Sequence, residues 1–129
     1  MLAGRQPFQY AALRIVPRVE RGEAVNAGVV LFCRPLRFLG ARTYLDVALL
    51  TALSPGCDPD EVRPQLATVE RIAAGDPAGG PIAQLPPSER FHWLVAPAST
   101  IVQPGPVHTG LTGDPAGELD RLFAKLVAR

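Results

Sequence analysis

The chain has 129 residues, 47% of them hydrophobic, and thirteen Lys and Arg stand against twelve Asp and Glu for a net charge of +1. That length is close to the commonest size of one domain and supplies enough apolar surface for a core, so a single domain over residues 1–129 is expected. The balanced charge gives no bulk field to attract nucleic acid or an anionic membrane surface, and no apolar run approaches the roughly 20 residues that cross a bilayer, so neither is an expected partner.

Gln9 to Arg18 (QYAALRIVPR) carries Tyr, Leu, Ile and Val in loose alternation, which predicts a strand with one well-buried face, ended by Pro17. Val19 to Glu23, with Gly22, reads as a connection. Ala24 to Cys33 (AVNAGVVLFC) is almost entirely apolar and predicts a second, central strand, which Arg34-Pro35 stops. Phe38 to Val47 predicts a third strand, because Thr43, Tyr44 and Val47 favour extended backbone. Three strands with short links predict an antiparallel meander.

Ser54-Pro55-Gly56 breaks this pattern. Asp58-Pro59-Asp60-Glu61 then reads as a helix start, with Asp58 as N-cap and Pro59 at the first helical position. The helix is expected to run to about Ala74, and Val62, Leu66, Val69, Ile72 and Ala73 recur at helical spacing as one core-facing stripe. Gly75-Asp76-Pro77 ends it. Pro87 to Leu94 predicts a short helical turn capped by Ser88. Ser99 to Val102 predicts a short strand, and the Pro- and Gly-rich run Gln103 to Gly113 predicts no regular structure. Asp114-Pro115 opens a last helix to about Val127, with Leu119, Leu122, Phe123 and Leu126 on its buried face. The expected architecture is α+β: an antiparallel sheet of about four strands packed against two main helices.

The polar residues worth testing fall into two clusters. Arg21, Glu23 and Asn26 precede an apolar strand beside Gly28, which would let another backbone come close. They can orient a polar ligand. They can equally form a connection in which Arg21 and Glu23 pair and Asn26 satisfies local backbone groups. The second cluster is the rigid loop around His108 and Thr109, where a histidine beside a hydroxyl could act as general base, proton sensor or anion ligand, or be hydrogen-bonded within the loop. Phe91, Trp93 and Leu94 are the hydrophobic payload of a core or an interface, with His92 as a partly exposed spacer.

No catalytic residue is nominated. Ser99 and Thr100 lie outside any G-x-S-x-G setting, and the glycines match neither the phosphate-binding loop nor the dinucleotide fingerprint. Two histidines so far apart do not define a metal site, and no cofactor is expected. Cys33 and Cys57 show neither metal-ligand spacing nor a redox pair, so reduced thiols are expected; with no signal-peptide pattern at the N-terminus, a cytoplasmic location is expected. Arg over Lys, with Lys125 the single lysine, together with heavy Ala, Gly and Pro usage suggests a GC-rich bacterial genome.

Tyr10 and Val16-Pro17, then Arg21-Gly22-Glu23 and Asn26-x-Gly28-Val29, then Arg90-Phe91 with Trp93-Leu94, and finally Thr100 and His108-Thr109-Gly110-Leu111 occur in an order that resembles the domain of unknown function 3037 family. The resemblance spans roughly residues 9 to 128. It implies a bacterial origin and an association with a HipA-like kinase, of which the domain would be a subunit or regulator. It carries over no catalytic residue.

Two functions follow. One is a non-catalytic interaction or regulatory module that binds a protein partner, for which a HipA-like kinase is the expected candidate. The other is a small enzyme or ligand-binding domain using Arg21, Glu23, Asn26, Arg90 and His108 at one end of the sheet. Convergence of those side chains in one concave pocket favours the second, and an apolar patch around Phe91 and Trp93 favours the first.

Overall fold

A computed structural model describes residues 4–98 and 100–128. In chain order the described elements are β1 (Gln6–Ile15), β2 (Val25–Cys33), β3 (Phe38–Thr43), α1 (Val47–Leu53), α2 (Pro59–Ala74), α3 (Pro87–Leu94), β4 (Val102–Pro104), β5 (His108–Thr112) and α4 (Pro115–Leu126), with two 3-10 turns between α2 and α3. The first three strands form the expected antiparallel meander. β4 and β5 both pair with the other edge of β1, β5 along its first half and β4 along its last three residues.

The sheet is covered on both faces. Ala11, Leu13, Val30 and Phe32 meet Ile72 and Ala73 of α2 and Phe91 and Leu94 of α3. From the opposite face, Phe8, Val29, Leu31 and Cys33 meet Leu119 and Phe123 of α4. At one end Ile15 and Ala27 pack with Leu50 of α1 and Val62 and Leu66 of α2. Burying each large aliphatic or aromatic side chain contributes roughly 1.5–3 kcal/mol, so the two-sided cover is the main source of stability. It also explains why Ala24 to Cys33 lacks alternation: a strand buried on both faces has no solvent side to keep polar.

The α2 boundaries match the reading from sequence, and Asp58 caps the helix by accepting from the Asp60 N–H at 2.9 Å. Gly75 closes it in the left-handed conformation at φ 72°. Asp114 caps α4 by accepting from the Gly117 N–H. Gly28 does admit a close backbone: a Cβ there would stand 2.8 Å from the Arg42 carbonyl oxygen.

Five expectations are corrected. The first strand ends at Ile15 rather than Arg18 and begins at Gln6. The third ends at Thr43, and Val47 opens α1 instead, because Asp46 accepts from the Leu49 N–H and starts a helix there. Ser88 does not cap α3; Pro86 occupies that position without a side-chain hydrogen bond. The strand expected over Ser99 to Val102 starts only at Val102, with Ser99 outside the described residues.

The fifth correction is the largest. Gln103 to Gly113 is not irregular throughout, because Val102–Pro104 and His108–Thr112 are strands. Pro104 and Pro106 are tolerated because this is the sheet's edge, where a missing N–H disrupts no ladder beyond. Four strands and two main helices are therefore imprecise: the described residues form a five-stranded sheet and four α-helices. No described helix is long and apolar enough to cross a membrane.

Candidate functional site

Arg21 and Glu23 sit in the exposed connection after β1. The Arg21 Nε and Nη2 donate to the two Glu23 carboxylate oxygens at 2.7 and 3.0 Å. That hydrogen bonding holds the Glu23 carboxyl below its ordinary range and raises the Arg21 guanidinium. The pair lines a small cleft with Pro17 and Leu53. Each group is already the other's partner, so the bidentate pair presents a neutral surface.

Arg90 lies at the corner where α2 meets α3. Its Nε donates to the Leu85 carbonyl at 2.9 Å, and one Nη donates to the Ile72 and Ala73 carbonyls at 3.0 and 2.9 Å. The Ile72 and Ala73 carbonyls belong to the last turn of α2, where the donors of the helix run out; Ile72 also accepts from the Gly75 N–H at 3.1 Å. A cation is favoured there by the helix dipole as well. Arg90 thus locks the C-terminal end of α2 to the start of α3.

Thr109 and His108 are neighbours on β5 and point to opposite faces of the sheet. Thr109 lines a cleft of about 440 Å³ on the α3 side with Gln9, Phe32, Arg34 and His92. His108 turns to the α4 side, where its ring lies 5.3 Å from the Tyr10 ring. There it lines a cleft of about 180 Å³ with Tyr10, Arg14, Asn26, Pro106 and Leu126. The Asn26 side-chain amide donates to the Leu126 carbonyl at 3.1 Å, tying β2 to the end of α4. Asn26 therefore satisfies a distant backbone group rather than a local one.

The five residues nominated for a polar site do not converge: Asn26 and His108 line one cleft, Arg21 and Glu23 a second, and Arg90 lies at a third place. Arg14 joins Asn26 and His108, and the sequence reading passed over it. Its signal was present: it is the single charge between Leu13 and Ile15 in an otherwise apolar strand. The β1–β2 register shifts between Leu13 and Arg14, which sets Arg14 opposite Asn26. On the other edge of β1, Ala11 and Ala12 face the three residues Gly105 to Val107 between the paired positions Tyr10–His108 and Leu13–Pro104. Both ladders are thus irregular close to Arg14, although Arg14 itself is paired with Asn26 on one side and Gln103 on the other. Among the described residues its Nε is a buried donor with no hydrogen-bond partner. Such a group costs about 1–3 kcal/mol if nothing satisfies it.

The apolar face is elsewhere. Phe91 and Leu94 are core, whereas Trp93 is 49% exposed. Positions 91, 94 and 95 share one helical face and 93 points off it. Trp93 stands at a groove of about 440 Å³ between α2, α3 and β4, walled by Leu13, Val69, Leu94, Pro97 and Val102. Gln65, Thr68 and Thr100 give it a polar margin, and none of its described lining residues is charged.

Neither cysteine is poised as a nucleophile. Cys33 is buried and its thiol donates to the Pro7 carbonyl at 3.4 Å. Burial, and then Glu61 and Asp58, push the Cys57 thiol upward, away from the reactive thiolate. Among the described residues no group of three or more His, Cys, Asp or Glu is arranged to hold a metal ion.

The family model described as Protein of unknown function (DUF3037) matches residues 10–127. No curated protein and no solved structure matches the chain.

Proposed function

For this chain, which belongs to the DUF3037 family, we propose a protein-interaction module that receives apolar side chains of a partner protein in the groove between α2, α3 and β4. The observation that carries this reading is Trp93, half exposed on an apolar groove that no charged side chain lines. Exposing a tryptophan beside other apolar side chains is unfavourable in water, and interface centres are enriched in tryptophan and poor in charge. The scatter of the polar candidates supports the same reading, since an enzyme needs its acid, base and substrate donors within reach of one reacting atom.

β4 offers little for strand addition, being three residues long and ending in Pro104. The partner is therefore held by side chains entering the groove. A HipA-like kinase is the candidate partner that the family resemblance suggests.

The test is affinity purification of the tagged chain and of Trp93→Asp from a bacterial host, with mass spectrometry of the retained proteins. One stoichiometric partner bound by the wild type and lost with Trp93→Asp is expected. Trp93→Asp should change the unfolding free energy measured in urea by no more than about 0.5 kcal/mol, as for a surface substitution. A partner retained equally by both proteins would remove the groove from the interface, and a clean wild-type monomer would overturn the module itself.

A further inference from the structure

A second site lies on the opposite face of the sheet and does not depend on the groove. We infer that the cleft around Arg14, Asn26 and His108 binds a small organic carboxylate. The starting point is the Arg14 guanidinium: its Nε is buried without a hydrogen-bond partner, and Arg14 makes no ion pair among the described residues. Among the described residues, the cleft it lines contains no Asp or Glu to neutralise it or to repel an anion. An arginine satisfied by its own protein looks different, as the three main-chain contacts of Arg90 show.

The geometry selects the class of ligand. The Arg14 Nε is buried and closed to a ligand atom, but the two Nη groups are not, and they form a planar fork that matches the two oxygens of a carboxylate. A doubly charged phosphate calls for several positive donors, and among the described residues Arg14 is the one arginine lining this cleft, with no lysine beside it. The volume of about 180 Å³ holds several waters at ~30 Å³ each, or a carboxylate carrying roughly two to four carbon atoms. Ala12, Pro106 and Leu126 supply apolar wall for the alkyl part, and the Tyr10–His108 ring pair closes one side. The ladders on the two edges of β1 are each irregular within Ala11 to Arg14, a placement typical of strands that re-aim a side chain toward a site.

The experiment is a titration of the full-length, nitrogen-15-labelled chain with sodium acetate and, separately, sodium butyrate, against sodium chloride at matched ionic strength. The Arg14 Nε–H resonance is followed directly, so the result does not depend on any variant folding. A saturable shift with both carboxylates, tighter for butyrate and with Kd on the order of millimolar, is expected for so few ligand atoms. Arg14→Lys keeps the charge but loses the fork, and should weaken binding about tenfold or more. A linear response equal to that of chloride would overturn the site. Equal affinity in Arg14→Lys, or saturation by inorganic phosphate at lower concentration than by butyrate, would overturn the carboxylate assignment.

Discussion

Two half-buried arginines sit in regions that use them in opposite ways. At the α2–α3 corner Arg90 donates to three main-chain carbonyls and joins two helices. In the β1 cleft Arg14 lies opposite Asn26 with its Nε unpartnered. A fold that needs a guanidinium for its own stability surrounds it with acceptors, because burying the charge is costly otherwise. One left without acceptors, beside a cavity, is available to something outside the chain. The difference separates a residue that builds the domain from one the domain presents.

The sharpest way to break this comparison is Arg90→Ala. It removes charge-assisted bonds to three main-chain carbonyls, of which, among the described residues, Ile72 alone keeps a backbone donor in Gly75, and should lower stability by about 2–3 kcal/mol in urea unfolding. An unchanged midpoint would show that the corner does not depend on Arg90. Asp58→Ala probes the other end of the same helix. Loss of that cap should cost about 1 kcal/mol, and a larger loss for Arg90→Ala than for Asp58→Ala would place the greater demand at the C-terminal end of α2.

Arg14→Gln should stand in contrast, with a change within about 0.5 kcal/mol or a small gain, because it removes a partly buried cation whose Nε has no hydrogen-bond partner. Destabilisation comparable to that of Arg90→Ala would make Arg14 structural and erase the distinction. The smallest effect is expected at the exposed Arg21–Glu23 pair. The Glu23 carboxyl is lowered by its hydrogen bond from Arg21, so any stability it adds is present above the ordinary carboxylate range and fades as pH falls through the lowered value. Since both groups are fully exposed, Glu23→Gln should leave the thermal midpoint at neutral pH unchanged within error. A measurable drop would mean that the connection after β1 is held more firmly than its exposure suggests.

Half of the Arg14 cleft is legible in the sequence, and the way it is assembled is not. Asn26 and His108 stood out as polar groups in apolar or rigid surroundings, whereas Arg14 was absorbed into a strand read for its Leu and Ile. Arg90 was nominated for a site because a lone arginine looks the same in sequence whether its acceptors are a ligand or the end of a neighbouring helix. Trp93 was grouped with Phe91 and Leu94 by proximity along the chain, although helical geometry already placed it on a different face.

Local chemistry alone determined the elements whose signals are local. The caps at Asp58 and Asp114, the stop at Gly75, the stripes of α2 and α4 and the nearly all-apolar run of β2 each follow from side chains within a few residues of one another. Tertiary structure alone decided the rest. The Pro- and Gly-rich run after Val102 has weak strand preference of its own and becomes β4 and β5 because the free edge of β1 offers it a ladder. The Arg14 cleft exists because β1, β2, β5 and the end of α4 meet there, and the offset between their registers cannot be read from any one segment. Ladder pairing and cavity shape are contacts between residues distant in sequence, so they are set by the packing of the whole chain.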